Sequence, residues 1–180
     1  DLRPRVCAVI SVSCSDSDHL RSGELVRDFA DLVLRHAQGP GGDDGGGSEG
    51  SSGANGSAAC VGIGVNCTDP DHVAGALRTL SAAIEEPYSC NRAPHNNGGK
   101  TPQLLLVAYP NSGETWDASA RDWVEGTGLR GEGGGVGGVE TFGRMARDEW
   151  YTAGSAARVF GGCCRTRPAH ITEIRRTLSA

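Results

Sequence analysis

Seven cysteines carry the most chemistry in this chain: Cys7, Cys14, Cys60, Cys67, Cys90, Cys163 and Cys164. Their odd number, irregular spacing and one adjacent pair do not make a disulfide-stapled secreted framework. They fit a reducing compartment, the cytoplasm, and thiols that bind metal or react. Three of them follow strand-like segments: Cys67 and the pair Cys163-Cys164. Three thiolates meeting at one sheet edge can hold Zn²⁺ at about 2.3 Å each, with a fourth position open to a substrate or water. Gly161-Gly162 gives the backbone the freedom to bring both adjacent cysteines to one ion. A vicinal disulfide is the alternative for that pair. Cys7, Cys14, Cys60 and Cys90 read as small hydrophobes outside the metal set, the common state of a free cysteine, and Cys67 taken alone admits that reading too.

Polar side chains accompany the thiols. Asn66 and Asn111 each follow an apolar segment and can both donate and accept hydrogen bonds, so they are candidate substrate-pocket groups. Capping of the strand end by an Asx turn is the competing role. Glu114 suits a substrate ammonium group, orientation of its loop, or a solvated turn. Arg165 suits a carboxylate, from a substrate or from the chain itself.

The elements that must position these groups alternate in type. Residues 6–14, 60–66, 103–109 and 156–160 are short, apolar, β-branched runs and read as buried strands. Each is followed by a helical pattern. The first spans 24–37, with Leu25, Val26, Phe29, Leu32 and Val33 on its apolar face and Ser22 as a possible cap. The second runs from Thr68 as cap to about Ile84 through Val73, Leu77 and Leu80. A polar loop fills 87–101, and Pro110-Asn111-Ser112-Gly113 turns the chain. Trp116 to Val124 reads as a short helix. Val139, Phe142, Met145, Ala146 and Trp150 mark a longer one, with Gly154 as its C-cap. Pro168 opens a last helix carrying Ile171, Ile174 and Leu178.

Four strand–helix units with strands apolar on both faces require a parallel α/β sheet with right-handed crossovers. The sites of such folds lie at the carboxyl ends of the strands, where Cys14, Asn66-Cys67, Asn111 and Cys163-Cys164 fall. Four units make half of an eightfold barrel or a small open sheet, and periodicity alone leaves both open.

Composition narrows the class. Glycine fills 28 of 180 positions and hydrophobic types only 37%, so an ordinary core is diluted by segments with little to bury. Residues 39–59 and 131–138 are the glycine-rich stretches and read as disordered insertions within one domain spanning 1–180. The net charge of −5 and the lack of a basic cluster leave no electrostatic footprint for nucleic acid. No apolar run is long enough for a membrane span. The chain opens at Asp1, close to its first strand, and reads as part of something longer.

Gly64-Val65-Asn66-Cys67, Tyr109 through Asp117 (YPNSGETWD) and Gly161 through Thr166 (GGCCRT) together resemble the homocysteine S-methyltransferase family. The likeness runs from about residue 4 to 178, and Ser11-Val12-Ser13 with His19 to Gly23 extends it toward the start. The resemblance implies a (β/α)8 TIM barrel of which this chain is the last four strands, the first four being absent. It implies Zn²⁺ on Cys67, Cys163 and Cys164, and methyl transfer to homocysteine to form methionine. The PNSGE form is similar to the branch using S-methylmethionine or S-adenosylmethionine. A donor such as betaine or a methylcobamide, or a selenol acceptor, is the first alternative. An inactive, truncated zinc- or homocysteine-binding fragment is the second.

Overall fold

The structure, a computed structural model, describes residues 7–37, 59–86, 104–124, 127, 129, 136–154 and 158–180. Its centre is a four-stranded sheet in the order β1 (Cys7–Val12), β2 (Ala59–Asn66), β3 (Leu105–Tyr109), β6 (Arg158–Phe160). All three pairings are parallel. The strands therefore form where the β-branched runs predict them, and in the predicted order.

Register sorts the side chains into two faces. Ile10, Ile63 and Leu106 sit level across β1 to β3, followed by Val12, Val65 and Ala108. From β2 to β3 this face lies under the helices α1 (Val26–Ala37) and α2 (Pro70–Glu85), whose Val26, Ala30, Leu34, Val73, Leu77 and Leu80 complete the core, while Ile10 on the outer strand is exposed. The opposite face carries Val9, Ser11 and Ser13 beside Gly62, Gly64 and Asn66, then Leu105, Val107, Tyr109 and Val159. Gly64 is required there, because a Cβ would run into the Val107 backbone.

Beyond β3 the chain forms a two-residue antiparallel ladder, β4 (Trp116–Asp117) with β5 (Asp122–Trp123), its two indoles edge to face at 5.4 Å. The helix expected at 116–124 does not form. The Asp117 carboxylate accepts from Ser119 N, Ser119 Oγ and Ala120 N, and Arg121 takes φ 53°, so the segment is held as a turn. α3 (Val136–Met145) continues into a π-helical turn over Ala146–Trp150. Val136 to Gly138, expected as the end of a disordered insertion, are helical; 39–58 and 131–135 lie outside the described residues. Phe142 and Trp150 are buried edge to face at 5.0 Å, and Phe142 meets the ring of His170 on α4 (Pro168–Leu178) at 5.1 Å.

Other local expectations shift by a residue or a role. α2 is capped by Asp69, whose side chain accepts from Asp71 N at 3.0 Å, and Pro70 takes the first turn. Thr68, expected as the cap, is buried instead and joins two loops. α1 begins at Val26, beyond Ser22, whose hydroxyl binds Glu24. Its buried stripe is Val26, Ala30, Val33 and Leu34, while Leu25 and Leu32 are exposed. Gly154 has no left-handed φ; its bare Cα lets Ser81 approach. On α4, Ile174 is buried but Ile171 is exposed, and His170 and Thr177 share the inner face.

Candidate metal centre

The carboxyl ends of β2, β3 and β6 bring the site together. Cys67 leaves β2 with φ 47°, a left-handed conformation uncommon for a side chain with a Cβ. Its N–H donates to Tyr109 O at 3.1 Å, prolonging the β2–β3 ladder by one rung. After β6, Gly161 N donates to Ala108 O at 2.8 Å and Cys163 N to Pro110 O at 2.8 Å, so that loop is zipped onto the β3 end. Ser112 N returns a bond to Cys164 O at 3.1 Å. Thr166 closes the turn, its hydroxyl donating to Cys163 O at 2.7 Å.

The three sulfurs expected from the sequence meet: Cys67, Cys163 and Cys164 Sγ all lie within 4.8 Å of one another. Cys164 Sγ is 3.7 Å from Cys67 Sγ and 3.8 Å from Cys163 Sγ. Two bonds of about 2.3 Å at the tetrahedral angle place sulfurs about 3.8 Å apart. Cys164 therefore already stands where a shared ion requires it. Cys67 and Cys163 are joined as a disulfide, with Cα atoms 5.4 Å apart. The vicinal Cys163–Cys164 bond considered from sequence is not the one formed. Disulfide and metal use the same two sulfurs and exclude each other. Once reduced, the three cysteines offer soft thiolate donors on one edge, open toward solvent through Cys164, a set that suits Zn²⁺.

The remaining described cysteines stand apart from this group. Cys7 is exposed, Cys60 half-buried with its thiol directed to Gly62 O at 3.4 Å, and Cys14 buried. Burial pushes the Cys14 thiol above its ordinary range, with the Thr68 hydroxyl acting in the opposite sense. Cys90 lies outside the described residues.

The polar candidates divide. Asn66 lies on the sheet face away from the helices, accepting from Ser11 Oγ at 2.9 Å and donating to Ser13 Oγ at 3.1 Å. Ser11 also bonds the Tyr109 hydroxyl. Ser11, Ser13 and Tyr109 thus belong to the same polar layer, and sequence reasoning missed them as site groups. The signal was available: in a strand alternate residues share a face, so Ser11 and Ser13 had to align with Asn66. Asn111 is buried, its Oδ1 accepting from Gly113 N at 2.8 Å and its Nδ2 donating to Cys67 O at 3.3 Å. Glu114 is buried as well, its Oε2 accepting from Arg165 Nε at 2.6 Å and from Ser112 Oγ at 3.3 Å. Of the carboxylate partners open to Arg165, the chain supplies its own.

No helix among the described residues is long and apolar enough to cross a membrane.

Comparison with known proteins identifies the family. The family model described as homocysteine S-methyltransferase matches residues 2–178. Homocysteine S-methyltransferase YbgG of Bacillus subtilis is 27% identical over 171 residues, covering 95% of this chain and 38% of that protein. Selenocysteine Se-methyltransferase of Brassica oleracea is 31% identical over 118 residues, covering 66% of this chain and 26% of that protein. The crystal structure of the metallated form of the homocysteine methyltransferase MmuM from Escherichia coli aligns with TM-score 0.49 at 24% identity, covering 97% of this chain and 36% of that one. The chain thus spans well under half the length of the relatives it matches. It belongs to the homocysteine S-methyltransferase family.

Proposed function

We propose that the full-length protein moves a methyl group from S-methylmethionine or S-adenosylmethionine to homocysteine, forming methionine. The observation that carries this reading is the meeting of Cys67, Cys163 and Cys164 within 4.8 Å at the strand ends of a family member. These three side chains, reduced, would hold Zn²⁺. Bound there, Zn²⁺ supplies Lewis-acid activation of the substrate thiol, which is otherwise mostly protonated at neutral pH.

The chain's own residues do the rest by positioning. The layer of Ser11, Ser13, Asn66 and Tyr109 offers hydrogen-bonding groups on the inner sheet face, beside the strand end that carries Cys67. Asn66 is the member suited to orient the amino-acid part of a substrate. Asn111 and Glu114 act through the loop, since each is already engaged by the chain. In the reaction a new S–CH₃ bond forms as the sulfonium C–S bond breaks. The electron pair stays on the departing thioether and the thiol proton passes to solvent. A thioether is a good leaving group, so no general acid is needed.

The four strands are read as the second half of a (β/α)8 barrel. The outer strands β1 and β6 support this, because Val9 and Val159 stand 47% and 46% exposed on the inner face, where a first half would cover them. A site that works with reduced thiols suits a reducing compartment, and the protein is read as cytoplasmic on that ground. A selenol acceptor is the second reading, favoured by the likeness to a selenocysteine Se-methyltransferase.

The test is metal content and methionine formation by the reduced full-length protein carrying Cys67→Ser, Cys163→Ser or Cys164→Ser, with Cys7→Ser as control. Joint loss of zinc and activity in the first three, and retention of both in the control, is the expected result. Full zinc content in the Cys163→Ser and Cys164→Ser proteins would overturn the site. Offering each donor with homocysteine or selenocysteine then decides among substrates.

A further inference from the structure

We infer that Glu114 and Arg165 are positioning residues for the metal centre, acting as a clamp that fixes Cys164. The inference rests on the zinc reading above and deepens it.

The β3 loop, 110–114, lies between the two cysteine-bearing loops and holds both. Toward β2, Asn111 Nδ2 donates to Cys67 O at 3.3 Å, and Asn111 N donates to Thr68 O at 3.1 Å. Toward β6, Pro110 O accepts from Cys163 N and Ser112 N donates to Cys164 O. These backbone bonds leave the chain direction after Cys164 to be set by the next residue. That residue is Arg165, at φ 65°. An arginine gains nothing intrinsic from the left-handed region, where glycine is the residue without steric cost. The turn across it is closed by Thr166 N donating to Cys163 O at 3.2 Å, and the Arg165 side chain adds a second hold.

That second hold is an ion pair. Arg165 Nε donates to Glu114 Oε2 at 2.6 Å. The Glu114 side chain is fully buried and that of Arg165 is 33% exposed, so the bond is largely shielded from water and salt. The same carboxylate oxygen accepts from Ser112 Oγ, which ties the ion pair to the residue whose N–H grips Cys164 O. Oε2 is thereby held by two chain partners, and Oε1 lies buried beside it. The carboxylate is placed to keep Cys164 Sγ at 3.7 and 3.8 Å from its two neighbours. Groups that hold metal ligands in place from behind commonly change metal affinity by about 10–100-fold when removed.

Three substitutions in the intact reduced protein separate the possibilities. Glu114→Gln keeps the shape and removes the charge. Arg165→Gly removes the guanidinium while tolerating the left-handed backbone. The double variant tests whether the two act as one unit. Zn²⁺ affinity is measured by competition with a chromophoric chelator. The thiolate-to-metal charge-transfer band of the Co²⁺-loaded protein reports how many sulfurs bind.

The expected result is a loss of about 10–100-fold in affinity for each single variant. The double variant should be no weaker than the worse single one. The charge-transfer intensity should fall toward that of Cys164→Ser, with the circular dichroism spectrum unchanged. Wild-type affinity and band intensity in Arg165→Gly would overturn the clamp, and so would independent, additive losses. Should Glu114→Gln not fold, Arg165→Gly, at a partly exposed position, decides alone. If instead Cys67→Ser and Cys164→Ser bind metal as well as the wild type, it is the zinc reading that fails.

Discussion

Thr68→Val isolates one joint of the site with almost no change of volume. Thr68 is 0% exposed. Its hydroxyl accepts from Cys14 N at 2.9 Å and donates to Asn66 O at 3.1 Å, so a single oxygen links the end of the β1 segment to the end of β2. Valine replaces that oxygen by a methyl. The Cys14 N–H is then left buried without its acceptor, which costs about 1–3 kcal/mol, and the bond to Asn66 O is lost at about 0.5–1.5 kcal/mol. The sum is about 1.5–4.5 kcal/mol. Thr68→Ser is the complementary change. It keeps both hydrogen bonds and gives up one buried methyl, worth about 1 kcal/mol. Urea unfolding of the reduced protein should place valine below serine by about 0.5–3.5 kcal/mol, with both slopes like the wild type. The Cys14 amide should exchange faster in the valine variant only. Valine as stable as serine would refute the reasoning, because it would mean that the hydroxyl joins nothing that matters.

Gly64→Ala should destabilise more than Gly62→Ala. A Cβ at 64 meets the Val107 backbone, which cannot move without parting β2 from β3, whereas at 62 the nearest atoms are 3.1–3.3 Å away; overpacking of the first kind costs about 1–3 kcal/mol or more, and equal melting of the two variants would contradict it. Cys14 should resist iodoacetamide in the folded protein while Cys7 reacts, since one is buried and the other exposed. Because folding raises the Cys14 pKa, its contribution is present below about pH 8.5 and is lost as pH rises further, when the unfolded thiol ionises first; a Cys14→Ala variant with an unchanged alkaline stability profile would count against this.

What was legible in the sequence follows from how local each signal is. The strands at 6–14, 60–66 and 103–109 stood out because a parallel strand under helices is apolar along its length, and each lies over an observed strand. The cysteine cluster was legible for the same reason, since strand ends of a parallel sheet all point one way. The segment after Glu114 was misread because Trp116-Asp117-Ala118-Ser119 has the look of a helix start, an acidic residue ahead of small ones. The same Asp117 oxygen that could cap a helix closes a turn instead, and the choice is made by Arg121 and by the packing of Trp116 on Trp123. Thr68 and Asp69 are both good caps by type. Which one caps α2 depends on Cys14, 54 residues away, which engages the Thr68 hydroxyl.

The same distinction explains the division of labour at the metal centre. The three clustered cysteines are set by residue type and position in the strand–loop–helix repeat, so their convergence was readable one loop at a time. Their spacing is set by bonds between loops: Asn111 to Cys67 across 44 residues and Glu114 to Arg165 across 51. Neither pairing leaves a pattern in the sequence, because an asparagine or a glutamate after a strand looks alike whether it faces a substrate or a neighbouring loop. The structure turns both toward the chain. Three cysteines from two loops can share one ion only if the loops are fixed relative to each other, and the β3 loop, which contributes no sulfur, is the element that fixes them. Its residues are therefore the ones whose substitution should alter metal affinity without removing a ligand.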